Sequence, residues 1–306
     1  MQSAQHILMI RPVSFKPNDE TADSNAFQKG LGQLTEHSAL VKAQQEFDNM
    51  VNMLRSKGID VTVVEDTKAP EKPDAIFPNN WISTHSNGSV FIYPMYTKNR
   101  REERRTDIIN FLNDEYEVNE VFDISHYELD GKILEGTGSM VFDHINKIVY
   151  ACASPRTNEG LLSFVADDLG YKHILFNALD TNKTPIYHTN VIMSIGTGYA
   201  IIAADTIQDK AQRTLVLASL KQGGHNIIEI SLEQMNNFAG NMLEVRSLLG
   251  IIYLVMSKQA FDSLKPLQRK TIRQYAEIIN PPLSTIEQIG GGSARCMMAE
   301  IFLRQK

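Results

Sequence analysis

The chain of 306 residues holds two cysteines, Cys152 and Cys296, and a single tryptophan. Two thiols are too few for a disulfide framework and are not spaced as metal ligands, so a reducing cytoplasm is the expected setting. Long apolar runs are also missing. The longest, LLGIIYLVM, is too short to cross a bilayer. The first residues, MQSAQHILMIRP, lack a basic n-region, an apolar h-region and a small-residue cleavage site, and read as a first strand. Nor is there an excess of positive charge. Lys+Arg 30 against Asp+Glu 36 leaves a formal charge of −6, which excludes a general attraction for nucleic acid. The basic stretch KNRREERR (Lys98 to Arg105) is interrupted by Glu102 and Glu103 and has no interleaved aromatics, so it reads as a solvated helix start. The H-x-E and P-C-x-x-C elements of zinc deaminases are absent. So are the glycine-rich phosphate loops, because GGGSARC leads into strand-like sequence rather than a helix.

What is present is a repeat. Helix-period segments at 40–57, 102–112, 159–169, 209–220 and 257–278 are each followed by a short β-rich run, at 59–64, 118–124, 173–176, 226–230 and 284–289. The first helix places Ala43, Phe47, Met50, Val51 and Leu54 on one face. Glycine-punctuated strand pairs open the next unit each time: WISTHSNGSVFIYPM, GSMVFDHINKIVYACA, VIMSIGTGYAIIAA and MLEVRSLLGIIYLVM. The final RCMMAEIFL lacks a partner, and HILMIRP near the start is suited to supply it and close a ring. No linker, low-complexity tract or charge boundary divides the chain, so residues 1–306 read as one domain of five ββαβ-like units.

One polar or reactive residue stands at or just before each strand pair: Asn80, Glu135, His188, Asn241 and Cys296. Their separations are 135 − 80 = 55, 188 − 135 = 53, 241 − 188 = 53 and 296 − 241 = 55. A radial arrangement of the units brings all five to one axis. Cys296 follows Gly290, Gly291 and Gly292, whose freedom of backbone conformation suits the exposure of a nucleophile. His188 is placed to shuttle a proton, and Glu135 to orient the imidazole or hold substrate N–H groups. Cys152, inside VYACAS, and the seven other histidines read as structural. Residues 13–39 read as a surface loop, with a lid as the alternative.

Glu, His and Cys in this order, with FPNNW, LEGTGS, HTNV, GNMLEV and GGGSARCM, resemble the guanidino-group-modifying superfamily of arginine deiminases, amidinotransferases and succinylarginine dihydrolases. The set is most similar to citrulline-utilisation hydrolases (citrulline ureidase-like proteins). The resemblance implies a five-bladed, pseudo-fivefold α/β-propeller, the pentein fold, with Cys296 as nucleophile, His188 as general acid/base and Glu135 completing a triad. It also implies substrate contacts at Asn80 and Asn190, and a grip on the substrate α-carboxylate from Asn241 and Arg156, assisted by Arg100 or Arg101. No metal or other cofactor is required. The implied partner is a small amino acid carrying a ureido or guanidino group; nucleic acid and membrane are not expected, and a homo-oligomer is compatible with the sequence.

Arginine deiminases carry aspartates where this chain has Asn80 and Asn190. A guanidinium cannot shed its charge, whereas a neutral ureido group offers N–H donors and one carbonyl that asparagine can match. The expected reaction is therefore hydrolysis of the ureido C–N bond of citrulline to ornithine, carbon dioxide and ammonia. Deimination, dihydrolysis or amidino transfer on a guanidino compound is the first alternative, since succinylarginine dihydrolases resemble this pattern while accepting a guanidinium. A non-catalytic amino-acid-binding propeller is the second.

Overall fold

The structure, a computed structural model, describes residues 1–22 and 24–306. Among the described residues, fifteen strands form five three-stranded sheets. Strand β1 (His6–Arg11) joins β2 (Asp60–Glu65), while β3 (Ile82–Thr84), β4 (Ser89–Ile92) and β5 (Glu120–Asp123) form the second sheet. The third holds β6 (Met140–Asp143), β7 (Ile148–Cys152) and β8 (Lys172–Phe176), and the fourth β9 (Met193–Gly196), β10 (Tyr199–Ile202) and β11 (Asn226–Glu229). The fifth comprises β12 (Leu243–Arg246), β13 (Ile252–Val255) and β14 (Glu277–Ile279). The last strand, β15 (Ala299–Ile301), pairs antiparallel with β1, with His6 opposite Ile301 and Leu8 opposite Ala299. The first sheet is thus built from residues far apart in sequence, and the expected closing pair forms.

Every sheet repeats one design: an edge strand antiparallel to a central strand, then a helix, then a third strand parallel to the centre. This is the ββαβ unit of the pentein fold, an α/β architecture. The edge strands face one another, β15 beside β3, β6 beside β9, and β9 beside β12. The turns Pro78–Asn80, Gly136–Ser139 and Thr189–Ile192, which lead into β3, β6 and β9, pack against one another in succession, so the N-terminal ends of these strands converge.

The first helix, Glu36–Ser56, starts at Thr35, whose hydroxyl accepts the Ser38 N–H, and buries Ala39, Ala43, Phe47, Met50, Val51 and Leu54. That is the face expected from its period. The expected helix over 257–278 is instead two short helices, Lys258–Ser263 and Pro266–Ile272, followed by β14. Pro266 has no N–H to continue the first helix and begins the second. Residues 284–289, expected as a strand, lie in the helix Ser284–Gly290. Ile286 and Ile289, three apart, turn inward together, and the Glu46 carboxylate accepts the N–H groups of Thr285 and Ile286 at 2.9 and 3.0 Å. No helix among the described residues is long and apolar enough to cross a membrane.

Candidate active site

A one-turn device precedes several of the edge strands, and it carries the repeated residue. Asn80 ends a 3₁₀ turn (Pro78–Asn80) before β3. Glu135 and His188 each sit at the N-cap of a single helical turn, Gly136–Ser139 before β6 and Thr189–Ile192 before β9. Asn241 and Cys296 occupy turn or loop positions just before β12 and β15. Cys296 lies in the turn 294–297 rather than inside a strand, its N–H bonded to Ser293 O at 3.0 Å. Equal placement on successive units explains the spacing of 53–55 seen in the sequence.

Glu135 and His188 meet directly, with Oε2 2.7 Å from Nε2. The same carboxylate accepts Arg156 Nη1 at 3.1 Å and, through Oε1, the Tyr96 N–H at 2.9 Å, with Arg100 Nη1 3.9 Å away. Burial by itself would raise the Glu135 pKa; Arg156, His188 and Arg100 outweigh it and hold the group well below the usual carboxylate range. His188 goes the other way. Burial brings it down to about 4 despite the pull of Glu135, so the resting imidazole is neutral at pH 7. The Nε2 bond to Glu135 leaves Nδ1 as the free ring nitrogen.

Cys296 is nearly buried, at 7% exposure. Its sulfur receives two carboxamide N–H groups, from Asn241 Nδ2 at 3.2 Å and Asn190 Nδ2 at 3.6 Å. Asn241 is itself anchored, its Nδ2 to Asn190 O at 3.2 Å and its Oδ1 to the Arg295 N–H at 3.1 Å. Gly138 separates Asn80 from His188: a Cβ there would stand 2.4 Å from Asn80 Nδ2 and 2.8 Å from His188 Cε1. Cys152 directs its thiol elsewhere, although its N–H donates to Thr189 Oγ1 at 2.7 Å. It is fully buried, donates to Ile186 O at 3.3 Å, and burial pushes its thiol up to about 12.

Of the residues singled out in the sequence, Asn80, Glu135, His188, Asn190, Asn241, Arg156, Arg100 and Cys296 come together. Arg101 does not: its Nε points to Met95 O at 3.3 Å and Glu128 at 3.5 Å, away from the cluster. Asn241, expected on the substrate α-carboxylate, donates to the thiol here. Arg100 spends three nitrogens on Glu103 and Asn80 rather than lying open to a carboxylate. The glycine run also behaves differently from expectation. The Phe77 ring fills the space over Gly290 and Gly292, and Gly291, at φ +65°, has Asn25 where a side chain would go, so the run accommodates packing rather than a ligand.

Asp74 was missed because no repeat position marks it. It is buried beside the cluster, with Oδ2 accepting Asn18 Nδ2 at 2.7 Å and lying 3.7 Å from Arg100 Nε, while Oδ1 has no partner among the described residues. Burial raises its pKa against the opposing pull of Arg100. The 13–39 segment contributes to the roof: Ser24 Oγ accepts Arg156 Nη2 at 2.6 Å, Asn25 Nδ2 donates to Gly290 O, and Phe27 packs edge-on against Tyr187. Within that segment Asp23 lies outside the described residues. Arg156 is sandwiched by Tyr187 and Tyr96, 4.9 and 5.7 Å from the ring centroids, and faces an outer cleft of about 840 Å³.

A family model described as N,N dimethylarginine dimethylhydrolase, eukaryotic, matches residues 11–303. No curated protein matches the sequence. Among solved structures, the N-terminal domain of ArgZ, a cyanobacterial arginine dihydrolase captured with substrate as a cysteine-to-serine mutant, superposes with a TM-score of 0.75 at 16% identity, over 97% of this chain and 99% of that one. AgrE, in a ternary complex with ornithine and NAD+, gives 0.75 at 18% identity over 98% of this chain, which spans only 39% of AgrE. A DDAH from Pseudomonas aeruginosa, a cysteine-to-serine mutant holding citrulline, gives 0.66 at 17% identity over 97% of this chain and 99% of that one. With the family model spanning nearly its whole length and these structures sharing its fold, the chain belongs to the N,N-dimethylarginine dimethylhydrolase family, in the guanidino-group-modifying superfamily of pentein proteins.

Proposed function

We propose that residues 1–306 form a single catalytic unit that hydrolyses the ureido C–N bond of citrulline, giving ornithine, carbon dioxide and ammonia. The observation that carries this reading is the neutrality of the groups around the thiol. Asn190 and Asn241 touch the sulfur, Asn80 flanks His188 across Gly138, and Glu135, the carboxylate against His188, is already engaged by His188, Arg156 and the Tyr96 N–H. A cationic guanidinium held against the thiol meets the carboxamides of Asn190 and Asn241 rather than a carboxylate, whereas a ureido group carries no charge to compensate.

In this mechanism the Cys296 sulfur attacks the ureido carbon as neutral His188 accepts the thiol proton. Collapse breaks the C–N bond to the ornithine side, and His188 gives that proton to the departing amine. The carbon remains on sulfur as a thiocarbamate. Water, deprotonated by His188, then displaces the sulfur and releases carbamate, which falls apart to carbon dioxide and ammonia. Glu135 orients the imidazole and balances its transient charge. No step calls for a cofactor.

A second reading, hydrolysis of a guanidino compound, is favoured by the relatives: ArgZ is an arginine dihydrolase, and the matching family is one of methylated-arginine hydrolases. Separate incubation of the purified protein with L-citrulline and L-arginine, with ornithine, citrulline and ammonia measured in each, decides between them. Ornithine and ammonia from citrulline alone are expected; turnover of arginine alone sinks the ureido assignment while leaving the cysteine chemistry standing. A folded Cys296→Ala variant that kept most of the activity would remove the mechanism altogether.

A further inference from the structure

Arg100 is buried, and its guanidinium is tied down on both sides. Nε and Nη2 donate to the two carboxylate oxygens of Glu103 at 2.8 and 2.9 Å, and Nη1 donates to Asn80 Oδ1 at 3.0 Å. A guanidinium has donors only, so the Asn80 carboxamide must turn its oxygen to Arg100 and its nitrogen the other way. That nitrogen is buried without a hydrogen-bond partner among the described residues, on the side where Gly138 meets His188. Asn190 has the opposite polarity. Its Nδ2 faces the Cys296 sulfur at 3.6 Å, and its Oδ1 is the buried atom left without a partner.

We infer that Arg100 is a specificity-determining positioning residue: it locks Asn80 as a donor, so that Asn80 and Asn190 together recognise a group with one carbonyl oxygen and N–H donors, and disfavour an all-donor guanidinium. The inference rests on the ureido-hydrolase reading of this site and adds the device that enforces it. Against a ureido group, the orphaned Asn80 N–H finds the carbonyl and the orphaned Asn190 oxygen finds an N–H. Against a guanidinium, Asn80 meets another donor and both are left unsatisfied in a buried place, the costly outcome for polar groups. Glu103 completes the lock by holding the other edge of the guanidinium plane.

The test compares how well L-citrulline and L-arginine protect Cys296 from iodoacetamide, followed by peptide mass spectrometry, in the intact wild-type chain and in Arg100→Gln, Arg100→Lys and Asn80→Asp. The wild type should favour citrulline. Arg100→Gln releases the carboxamide to flip, so the citrulline-to-arginine preference should shrink by about tenfold or more; Arg100→Lys, which retains a donor to Oδ1, should restore much of it. Asn80→Asp should move the preference toward arginine by a similar factor. A merely structural role for Arg100 weakens both ligands alike, and an unchanged ratio in Arg100→Gln overturns the lock. If circular dichroism shows that variant unfolded, Asn80→Asp decides on the same criterion. A wild type that favours citrulline but turns over neither compound refutes the hydrolase reading and leaves the lock standing, whereas a wild-type preference for arginine refutes the lock.

Discussion

Asn241 Nδ2 lies 3.2 Å from the Cys296 sulfur, and the Oδ1 of the same carboxamide accepts the Arg295 N–H at 3.1 Å. The backbone bond fixes which end of the amide faces the thiol, so the sulfur is given a donor that strengthens as it gains negative charge. Replacement by the near-isosteric leucine should lower kcat by about 10- to 100-fold with a much smaller change in KM, as expected for loss of one hydrogen bond to a charged atom. Steady-state kinetics on the substrate turned over by the wild type measure this; an effect on KM alone would assign Asn241 to substrate binding instead.

Gly138 sets the distance between two parts of the site. Its backbone does not require the left-handed region, so alanine is allowed conformationally, but the added methyl would stand 2.4 Å from Asn80 Nδ2 and 2.8 Å from His188 Cε1. Gly138→Ala should cost about 1–3 kcal/mol of stability through overpacking and reduce activity by at least about 100-fold as His188 is displaced. Thermal unfolding and activity together are decisive: an active, stable variant would show that neither neighbour needs its present position.

The acid limb of the pH profile should lie well below that of an ordinary histidine. Burial brings His188 down to about 4, and the neutral ring is the form that accepts the thiol proton, so kcat/KM should hold as pH falls through 6.5 and drop only on approaching 4. The stability contribution has a definite sign. The unfolded histidine takes up its proton near pH 6.5 and the folded one near 4, so lowering pH through that window favours the unfolded chain, by about 1.4 kcal/mol per pH unit from this residue. An acid limb at 6.5, with the His188 ring seen by NMR to titrate there, would contradict the lowered value.

The two thiols should behave as opposites under native alkylation. Cys152 is fully buried with its thiol pushed up to about 12, so iodoacetamide at pH 8 should mark residue 296 and spare 152 until the protein unfolds. Peptide mapping before and after denaturation reads this directly.

Arg101 and Arg156 likewise separate. Arg101→Ala removes a side chain that reaches Glu128 and Met95 and should leave KM within about twofold, as surface changes usually do. Arg156→Ala strips Glu135 of a buried ion-pair partner and should cost about 3–5 kcal/mol of stability along with activity. Comparable kinetics in the two variants would refute the separation.

The sequence made the repeat legible because one physical requirement recurs: a turn must deliver the chain into each edge strand, and the residue at that turn points to the axis. Glu135, His188 and Cys296 could therefore be found from spacing before any contact was known. Asp74 could not. It precedes its edge strand by more than a turn and matters through burial beside Arg100, which sequence periodicity does not encode. The segment 284–289 was misread for a related reason: six residues containing Ile286 and Ile289 suit a short strand or one inward helical face equally, and only the Glu46 carboxylate at its start, from a distant helix, settles the matter. Arg100 and Arg101 are adjacent and chemically identical, so only the fold separates the one in the site from the one outside it.

The pairing of β1 with β15 sets residues 6–8 against 299–301, so its outermost partners, His6 and Ile301, are separated by 301 − 6 = 295 positions. The other four sheets close over far shorter stretches of chain. Those four pair strands that are near in sequence, while the segment bearing the nucleophile is seated by a strand that pairs with one up to 295 positions before it. Closing so long a loop is the slow, entropically costly event in such a topology. A chain lacking β15 would therefore keep Glu135 and His188 in contact on their own turns and leave the sulfur without the strand pairing that seats it beside Asn190 and Asn241.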